Sequence, residues 1–279
     1  MTKKDNQKVC ILTGATSGIG RETAKALAAR GYILVLPIRD SLKGDTLKDE
    51  ILEQTPEAIP DIRHCNLASL DSVREFSAGF LKDYDRLDVL INNAGIWENK
   101  RNESEDGIER NFAVNHLAPF LLTLSLLDIL KNSAPARIVN VSSEAHRQGK
   151  MNFEDLEYKE KFSGFGSYAQ SKLANILFTK NLSRKLKGTG VTVNCLHPGV
   201  VSTNLFNKMP DILLSIFKLF MISPEKGAQT SIYLATSPDV EGVSGEYFAK
   251  SKKKKPASQA LRQDTADKLW SISEKYVGL

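Results

Sequence analysis

Two short stretches of this chain carry residues able to do chemistry together. Tyr168-Ala-Gln-Ser-Lys172 places a phenol and an ammonium four residues apart, which on a helix puts them on one face. A lysine so placed lowers the pKa of a tyrosine and lets the phenol exchange a proton near neutral pH. Thr13-Gly14-Ala-Thr-Ser-Gly18-Ile-Gly20 follows an apolar run and opens a helical pattern. Glycines there let a pyrophosphate approach the backbone and reach the free N–H groups of a helix N-terminus. Neither stretch is specific alone. Together they point to a nicotinamide-dependent oxidoreductase with tyrosine as its acid and base.

The elements that must hold these groups alternate along the chain. Apolar strand-like runs occupy residues 9–13, 33–37, 62–65, 89–92, 137–142, 191–196 and 246–249. Most lack a polar alternate, as strands covered by helices on both faces do. Helical patterns occupy 19–30, 69–84, 107–131, 168–187 and 224–236. Repeated strand-helix units predict an α/β fold, one doubly wound parallel sheet. No Pro/Gly/Ser linker divides the chain, so residues 1–279 are read as a single domain. Ligands bind such sheets beyond the carboxyl ends of the strands, here on the loops after the first, fourth, fifth and sixth.

Bulk properties narrow the class. The 279 residues are 41% hydrophobic and 25% charged, with a formal net charge of +5, ordinary values for a soluble globular protein. Part of the charge is the run Lys252–Lys255 with Lys250 before it, read as a solvated loop or, less readily, a contact for anionic lipid. With no basic helix or aromatic stripe beside it, nucleic acid is not a partner. Cys10, Cys65 and Cys195 lie in or beside apolar runs without metal-ligand spacing; reduced thiols in a cytoplasmic protein account for them. The polar N-terminus shows no signal peptide, and no segment spans a membrane.

Five features occur here in a fixed order: Gly14-x-x-x-Gly18-x-Gly20, Asn92-Asn93-Ala94-Gly95, Ser143, Tyr168-x-x-x-Lys172 and Pro198-Gly199. In that order they resemble the short-chain dehydrogenase/reductase family, from about Val9 to Ala249. His197-Pro-Gly-Val-Val-Ser-Thr203, Ser171-Lys-Leu-Ala-Asn-Ile-Leu-Phe178 and Arg39-Asp40 with Lys43-Gly44 resemble its retinol dehydrogenase and aldehyde reductase branch. The resemblance implies a Rossmann fold and a catalytic group of Asn115, Ser143, Tyr168 and Lys172. Tyr168 would protonate a carbonyl oxygen or, as phenolate, take the alcohol proton. Lys172 would hold the nicotinamide ribose and tune the phenol. Ser143 would bind the substrate oxygen, and Asn115 would hold a water linking Lys172 to solvent. Cofactor contacts would come from Gly14, Thr16, Ser17, Gly18, Ile19, Gly20, Arg39, Asn66, Leu67, Asn93, Ala94, Gly95, Tyr168, Lys172, Pro198, Gly199, Val201 and Thr203. Thr203 would meet the carboxamide.

Charge argues the cofactor choice. An acidic residue at the end of the second strand would favour NAD; that place is Ile38, followed by Arg39. A guanidinium there can pair with a 2′-phosphate, so the expectation is NADP(H). Asn66 departs from the aspartate usual in the family but still donates and accepts. Pro37 fits a strand end.

On the substrate side, residues 144–167 separate Ser143 from Tyr168, and residues 204–222 hold an apolar run that the resemblance makes a lid. Its apolarity suggests a hydrophobic aldehyde, ketone or alcohol, retinal-like or otherwise. Packing on the core or a partner subunit is an equal reading of that run. A helix on a membrane surface is a third, with Lys208 and Lys218 its only cations. The tail 258–279 reads as helical, anchored by Leu261, Leu269, Trp270 and Tyr276. His146 reads as exposed or, less readily, as lining the substrate cavity, and Cys195 reads as core. The resemblance implies pairing through 107–131 and 168–187 into a dimer or tetramer. Competing functions are a double-bond reductase of the protochlorophyllide type and a non-catalytic NADP(H) sensor or scaffold.

Overall fold

The computed structural model describes residues 7–199 and 222–279. Val201, Thr203 and the segment 204–221 lie outside the described residues.

The apolar runs form strands that bury both faces. In β1 (Val9–Leu12), Val9 and Ile11 enter one core with Val73, Phe80, Phe120 and Leu177. Cys10 and Leu12 enter the other, with Ala24, Leu27, Leu34 and Leu36. Period-two alternation between two cores explains why these strands carry no polar alternate. The remaining strands are β2 (Ile33–Ile38), β3 (Ile59–His64), β4 (Val89–Asn92), β5 (Ala136–Val141), β6 (Val191–His197), β7 (Tyr247–Ala249) and β8 (Lys252–Lys254). Among the described residues they make one sheet of order β3-β2-β1-β4-β5-β6-β7-β8, parallel except for the antiparallel β7–β8 pair. This is the doubly wound Rossmann arrangement. Strand order reverses between β1 and β4, and a crevice opens beyond their carboxyl ends.

Pro37 lies inside β2, paired with Arg63 of β3, beyond the last β1–β2 rung at Ile11 and Val35. Its missing N–H therefore interrupts no bond toward β1. The strand β3 begins at Ile59, three residues earlier than its hydrophobicity suggests, because its residues are mostly half-buried.

Helices α1 (Gly18–Ala28), α2 (Ser41–Gln54) and α3 (Leu70–Asp83) follow β1, β2 and β3. Periodicity did not single out α2, which buries only Gly44, Leu47 and Ile51 and starts at an Asp40 cap. Residues 107–131 are not one helix. They contain α4 (Arg110–Phe112), a π-helical turn (Ala113–Leu117), α5 (Ala118–Ser125) and α6 (Leu127–Asn132). Pro119 brings no N–H to the Asn115 carbonyl four residues earlier, and the ladder widens so that the Ala118 N–H reaches the Ala113 carbonyl. Helix α7 (Gly164–Lys185) starts four residues before Tyr168, capped by Ser163 accepting from the Gly166 N–H at 3.1 Å.

Two surface expectations change. The lysine run is not a loop: Lys250 and Ser251 turn at φ 53° and 56°, and Lys252–Lys254 return as the edge strand. Lysines along an open edge oppose pairing with another chain. After α8 (Pro224–Thr236), the chain ends in a short 3₁₀ turn (Ser258–Leu261) and α9 (Gln263–Val277). Leu269 and Trp270 are buried and the Tyr276 hydroxyl donates to Glu157 at 3.0 Å. Leu261 is 46% exposed, because Ala260 takes the inward position of that turn.

Candidate active site

A cavity of about 520 Å³ lies across the carboxyl ends of β1, β2, β4, β5 and β6. Glycines shape its floor. Gly14 sits at φ 69°, and a Cβ there would come within 2.8 Å of the Ala94 Cα. A Cβ on Gly20 would run into the Gly14 carbonyl oxygen. Thr13 ties the β1 and β4 loops: its hydroxyl accepts from the N–H groups of Asn93 and Ala94, each at 3.0 Å. Asn93 Nδ2 donates back to the Thr13 and Gly14 carbonyls at 2.9 and 3.2 Å. Asn93 thus holds the turn rather than facing the cavity with its amide. Ser17 caps α1 without a side-chain hydrogen bond, and the first turn has no acidic residue. The helix start, with Thr16 and Ile19 beside it, is open to an anion.

One end of the cavity is cationic, with exposed Arg39 just past β2 and Lys43 one turn into α2. Lys43 Nζ is 3.3 Å from Asp40, and the Asp40 carboxyl lies below its usual range through its hydrogen bonds to Lys43. Leu67 and Asn66 line the cavity, but the Asn66 side chain is partly committed. Its amide donates to Glu105 at 2.6 Å and its oxygen accepts from the Ala68 N–H at 3.1 Å. One amide hydrogen and one lone pair of Asn66 remain for a ligand. Pro198 and Gly199, at φ 101°, close the far wall with His197.

At the other end α7 brings Tyr168 and Lys172 together, with Lys172 Nζ 5.6 Å from the phenol ring centre. Both are buried, at 5% and 3% exposure. Ser143 follows β5; its hydroxyl oxygen accepts from the Ala145 N–H at 3.2 Å and its hydrogen is left to donate. Ser142 spends its hydroxyl on the Lys172 carbonyl at 2.7 Å. Burial pushes the Tyr168 phenol up to about 12, with the Ser143 hydrogen bond pulling it down. Burial also brings Lys172 down to about 8. Burial of both groups disfavours their charged forms. Trp97 stacks on Tyr168 at 4.8 Å and 26°. It was missed in the sequence, though an aromatic residue two places after Asn-Asn-Ala-Gly is its signal.

Asn115 lies in the π-helical turn, fully buried. Its side-chain oxygen accepts from the Ile96 N–H at 2.8 Å. Its amide donates to the Ile96 carbonyl at 2.9 Å and to Ser171 at 3.0 Å. The amide is used up between the 93–97 loop and Ser171, so a water would have to be met by the Asn115 carbonyl, which Pro119 leaves without its α-helical donor. That loop is close-fitting: a Cβ on Gly95 would lie 3.0 Å from Lys172 Nζ.

Residues 8–212 match the family model described as short chain dehydrogenase. The chain belongs to the short-chain dehydrogenase family. It is 46% identical to human retinol dehydrogenase 14 over 98% of its own length and 87% of that protein. Human retinol dehydrogenase 13 is also 46% identical, over 98% and 85%. Human retinol dehydrogenase 12 is 42% identical, over 98% and 87%. These place the chain in the retinol dehydrogenase branch, among oxidoreductases acting on CH–OH and C=O groups. A solved protein of Mycobacterium Paratuberculosis superposes with TM-score 0.80 at 30% identity, covering 98% of this chain and 94% of that one. A chain described as an NAD(P)-dependent gluconate 5-dehydrogenase, from Beutenbergia cavernae, was solved with bound NADP at low occupancy. It gives 0.72 at 25% identity, over 87% and 94%. Structural neighbours of this chain therefore bind a nicotinamide dinucleotide. Among the described residues no helix is long and apolar enough to cross a membrane.

Proposed function

We propose that the chain is an NADP(H)-dependent oxidoreductase that interconverts an apolar aldehyde or ketone with its alcohol, using Ser143, Tyr168, Lys172 and Asn115. One observation carries this reading: a single glycine-floored cavity has the cations Arg39 and Lys43 at one end and the Ser143–Tyr168–Lys172 group at the other. The bound dinucleotide supplies the hydride chemistry, and the protein supplies orientation and the proton. The residues fit that group: bare backbone at Gly14 and Gly20, an uncapped α1 start for the pyrophosphate, and Arg39 for a 2′-phosphate.

In reduction, Tyr168 gives its proton to the carbonyl oxygen. A phenol held near 12 is fully protonated at neutral pH and arrives loaded. As the proton leaves, the ammonium of Lys172 stabilises the growing phenolate, more strongly because water is excluded from both. Ser143 donates its hydroxyl hydrogen to the same oxygen. Asn115 keeps Ile96 and the 93–97 loop against Lys172. In oxidation the same groups run in reverse, with the phenolate as base.

The substrate class rests on Trp97 over Tyr168, on Phe165 packed against Trp97 at 5.7 Å and 39% exposed, and on the names of the relatives. Cys10, Cys65 and Cys195, all buried free thiols, support a reducing, cytoplasmic setting. There, a largely reduced NADP pool would favour carbonyl reduction.

The test is NADPH consumption with hexanal, decanal, benzaldehyde and all-trans-retinal. Turnover should rise with apolarity and fall at least ~100-fold in Tyr168→Phe, with NADPH affinity little changed. NADPH binding without turnover on any of the four would point instead to a sensor. Equal turnover by wild type and variant would end the catalytic assignment.

A further inference from the structure

We propose that His146 is the positioning residue of Ser143, and that it holds the serine by clamping it to the distant segment 255–259. The proposal rests on the reading of Ser143 as the group that binds the substrate oxygen.

Ser143 is extended, at φ −157° and ψ 156°, and leads into a single 3₁₀ turn, Glu144–Arg147. The sequence suggests an exposed histidine in this loop. Instead His146 has no exposed surface, and both ring nitrogens are engaged. Nδ1 lies 2.6 Å from the Ser143 carbonyl oxygen, and Nε2 lies 3.1 Å from the Ala257 nitrogen. A carbonyl only accepts and a backbone N–H only donates. Nδ1 must therefore carry the hydrogen and Nε2 must be bare, which selects one neutral tautomer.

The Ser143 carbonyl also accepts from the His146 N–H at 3.1 Å. Two donors on one carbonyl fix the peptide plane after Ser143, hence its ψ and the place of the Ala145 N–H that holds the hydroxyl oxygen at 3.2 Å. That hydroxyl faces the Tyr168 phenol. The clamp is built from the far end of the chain. The Gln259 amide donates to the His146 carbonyl at 3.4 Å and to the Gly149 carbonyl. Arg147 donates to the Lys255 carbonyl at 3.0 Å. Tyr247 packs on the imidazole at 5.0 Å and donates its hydroxyl to Glu144 at 2.7 Å. The ionisable groups around the ring are thus Glu144, Arg147, Tyr247 and His197; Glu144 pairs with Arg147, and its N–H donates to His197 Nδ1 at 3.3 Å. These anchoring residues from β7 onward lie beyond the stretch 8–212 that matches the family model.

Three variants separate positioning from plain packing. The Asn amide sits where Nδ1 does, so His146→Asn keeps a donor for Ser143. The Gln amide reaches where Nε2 does, so His146→Gln keeps the Ala257 bond and loses the one to Ser143. Ala257 has φ −58°, so Ala257→Pro deletes the N–H donor without backbone strain. Misplacing a reacting group by about 1 Å costs on the order of 100-fold. The expected result, with the fastest aldehyde of the panel, is kcat within about 3-fold of wild type for His146→Asn and about 10- to 100-fold lower for His146→Gln. The KM for NADPH should be unchanged in both. In alcohol oxidation the rising limb of the pH profile should move up in His146→Gln, because the phenolate loses the Ser143 donor.

Equal losses in the Asn and Gln variants, or none in either, would overturn the proposal. Nitrogen-15 spectra of the wild-type imidazoles, only 4 in the chain, give an answer independent of turnover and of variant folding. They should show His146 with Nδ1–H and a bare Nε2, and Ala257→Pro should shift the Nε2 signal. An Nε2–H tautomer in the wild type would also overturn it. Tyr168→Phe in the same assay isolates the underlying reading: full activity there defeats the catalytic assignment, whatever His146 does.

Discussion

On the proposed NADP(H) reading, replacing Arg39 by alanine should remove most of the preference for NADPH over NADH. Arg39 is exposed at the cavity edge, one residue past β2. Among the described residues its guanidinium forms no ion pair, while Lys43 shares its charge with Asp40 at 3.3 Å. A 2′-phosphate would therefore meet Arg39 without displacing a partner, but would compete with Asp40 for Lys43. A hydrogen bond to a charged group contributes ~1.5–3 kcal/mol. Solvent screening at this exposed position argues for the low end, about 1.5 kcal/mol, or about 10-fold in affinity. Fluorescence titration should show NADPH bound about 10-fold more weakly by Arg39→Ala, with NADH affinity unchanged. The wild-type preference for NADPH should shrink as salt rises from about 0.05 to 0.5 M, and the variant should show little such dependence. A parallel loss of both cofactors would mean that Arg39 supports the fold of the loop. No loss of NADPH affinity would refute the charge argument altogether.

Three further perturbations test the burial of the site. Lys172 has a folded pKa of about 8, below the ordinary 10.5, so its charge opposes folding below that range by about 3 kcal/mol. Lys172→Met should unfold at a higher temperature than wild type at pH 7, with the gap closing as pH rises from 8 to 10.5. A variant equally or less stable at pH 7 would contradict the buried-charge account. His116 is buried against Phe120 and Phe178 and pushed down to about 4 by burial. The unfolded chain then binds its proton first, and stability should fall from pH 6.5 toward 4. In His116→Gln that fall should be shallower by about 1.4 kcal/mol per pH unit, measured by denaturant titration; an unchanged slope would show that His116 does not titrate there. Gly20→Ala drives a methyl into the Gly14 carbonyl. It should cost about 1–3 kcal/mol of stability and abolish detectable NADPH quenching, and normal binding would show that the turn can open.

Much of the fold was legible because its signals are local. Runs such as Val89–Asn92 are apolar on both alternating faces, and α8 starts at Pro224 and stops at Thr236 as its pattern suggests. Local signals failed where a neighbour decided the outcome. The weak stripe of α2 helps to cover one side of the sheet through Leu47 and Ile51. The lysine run reads as a solvated loop; its side chains are exposed, yet backbone pairing with β7 makes it a strand. The break in 107–131 was partly written in Pro119, but the π turn also needs Asn115 to be held by Ile96.

For the site, the sequence by itself determined which chemical groups are present, the order in which they follow the strands, and the bare backbone at Gly14 and Gly20. Motif spacing and strand-helix alternation depend on neighbours a few residues away, so they can be read along the chain. Only the tertiary structure decided which of those groups are free to act. Ser142 is spent on the Lys172 carbonyl while Ser143 keeps its hydrogen, Asn66 gives one amide hydrogen to Glu105, and His146 is clamped to Ala257. It also decided that the phenol of Tyr168 is buried with Trp97 stacked on it, and burial raises its pKa. Hydrogen-bond partners and burial come from segments as far apart as the 111 residues between His146 and Ala257 or more, and no local pattern records which distant atom will arrive.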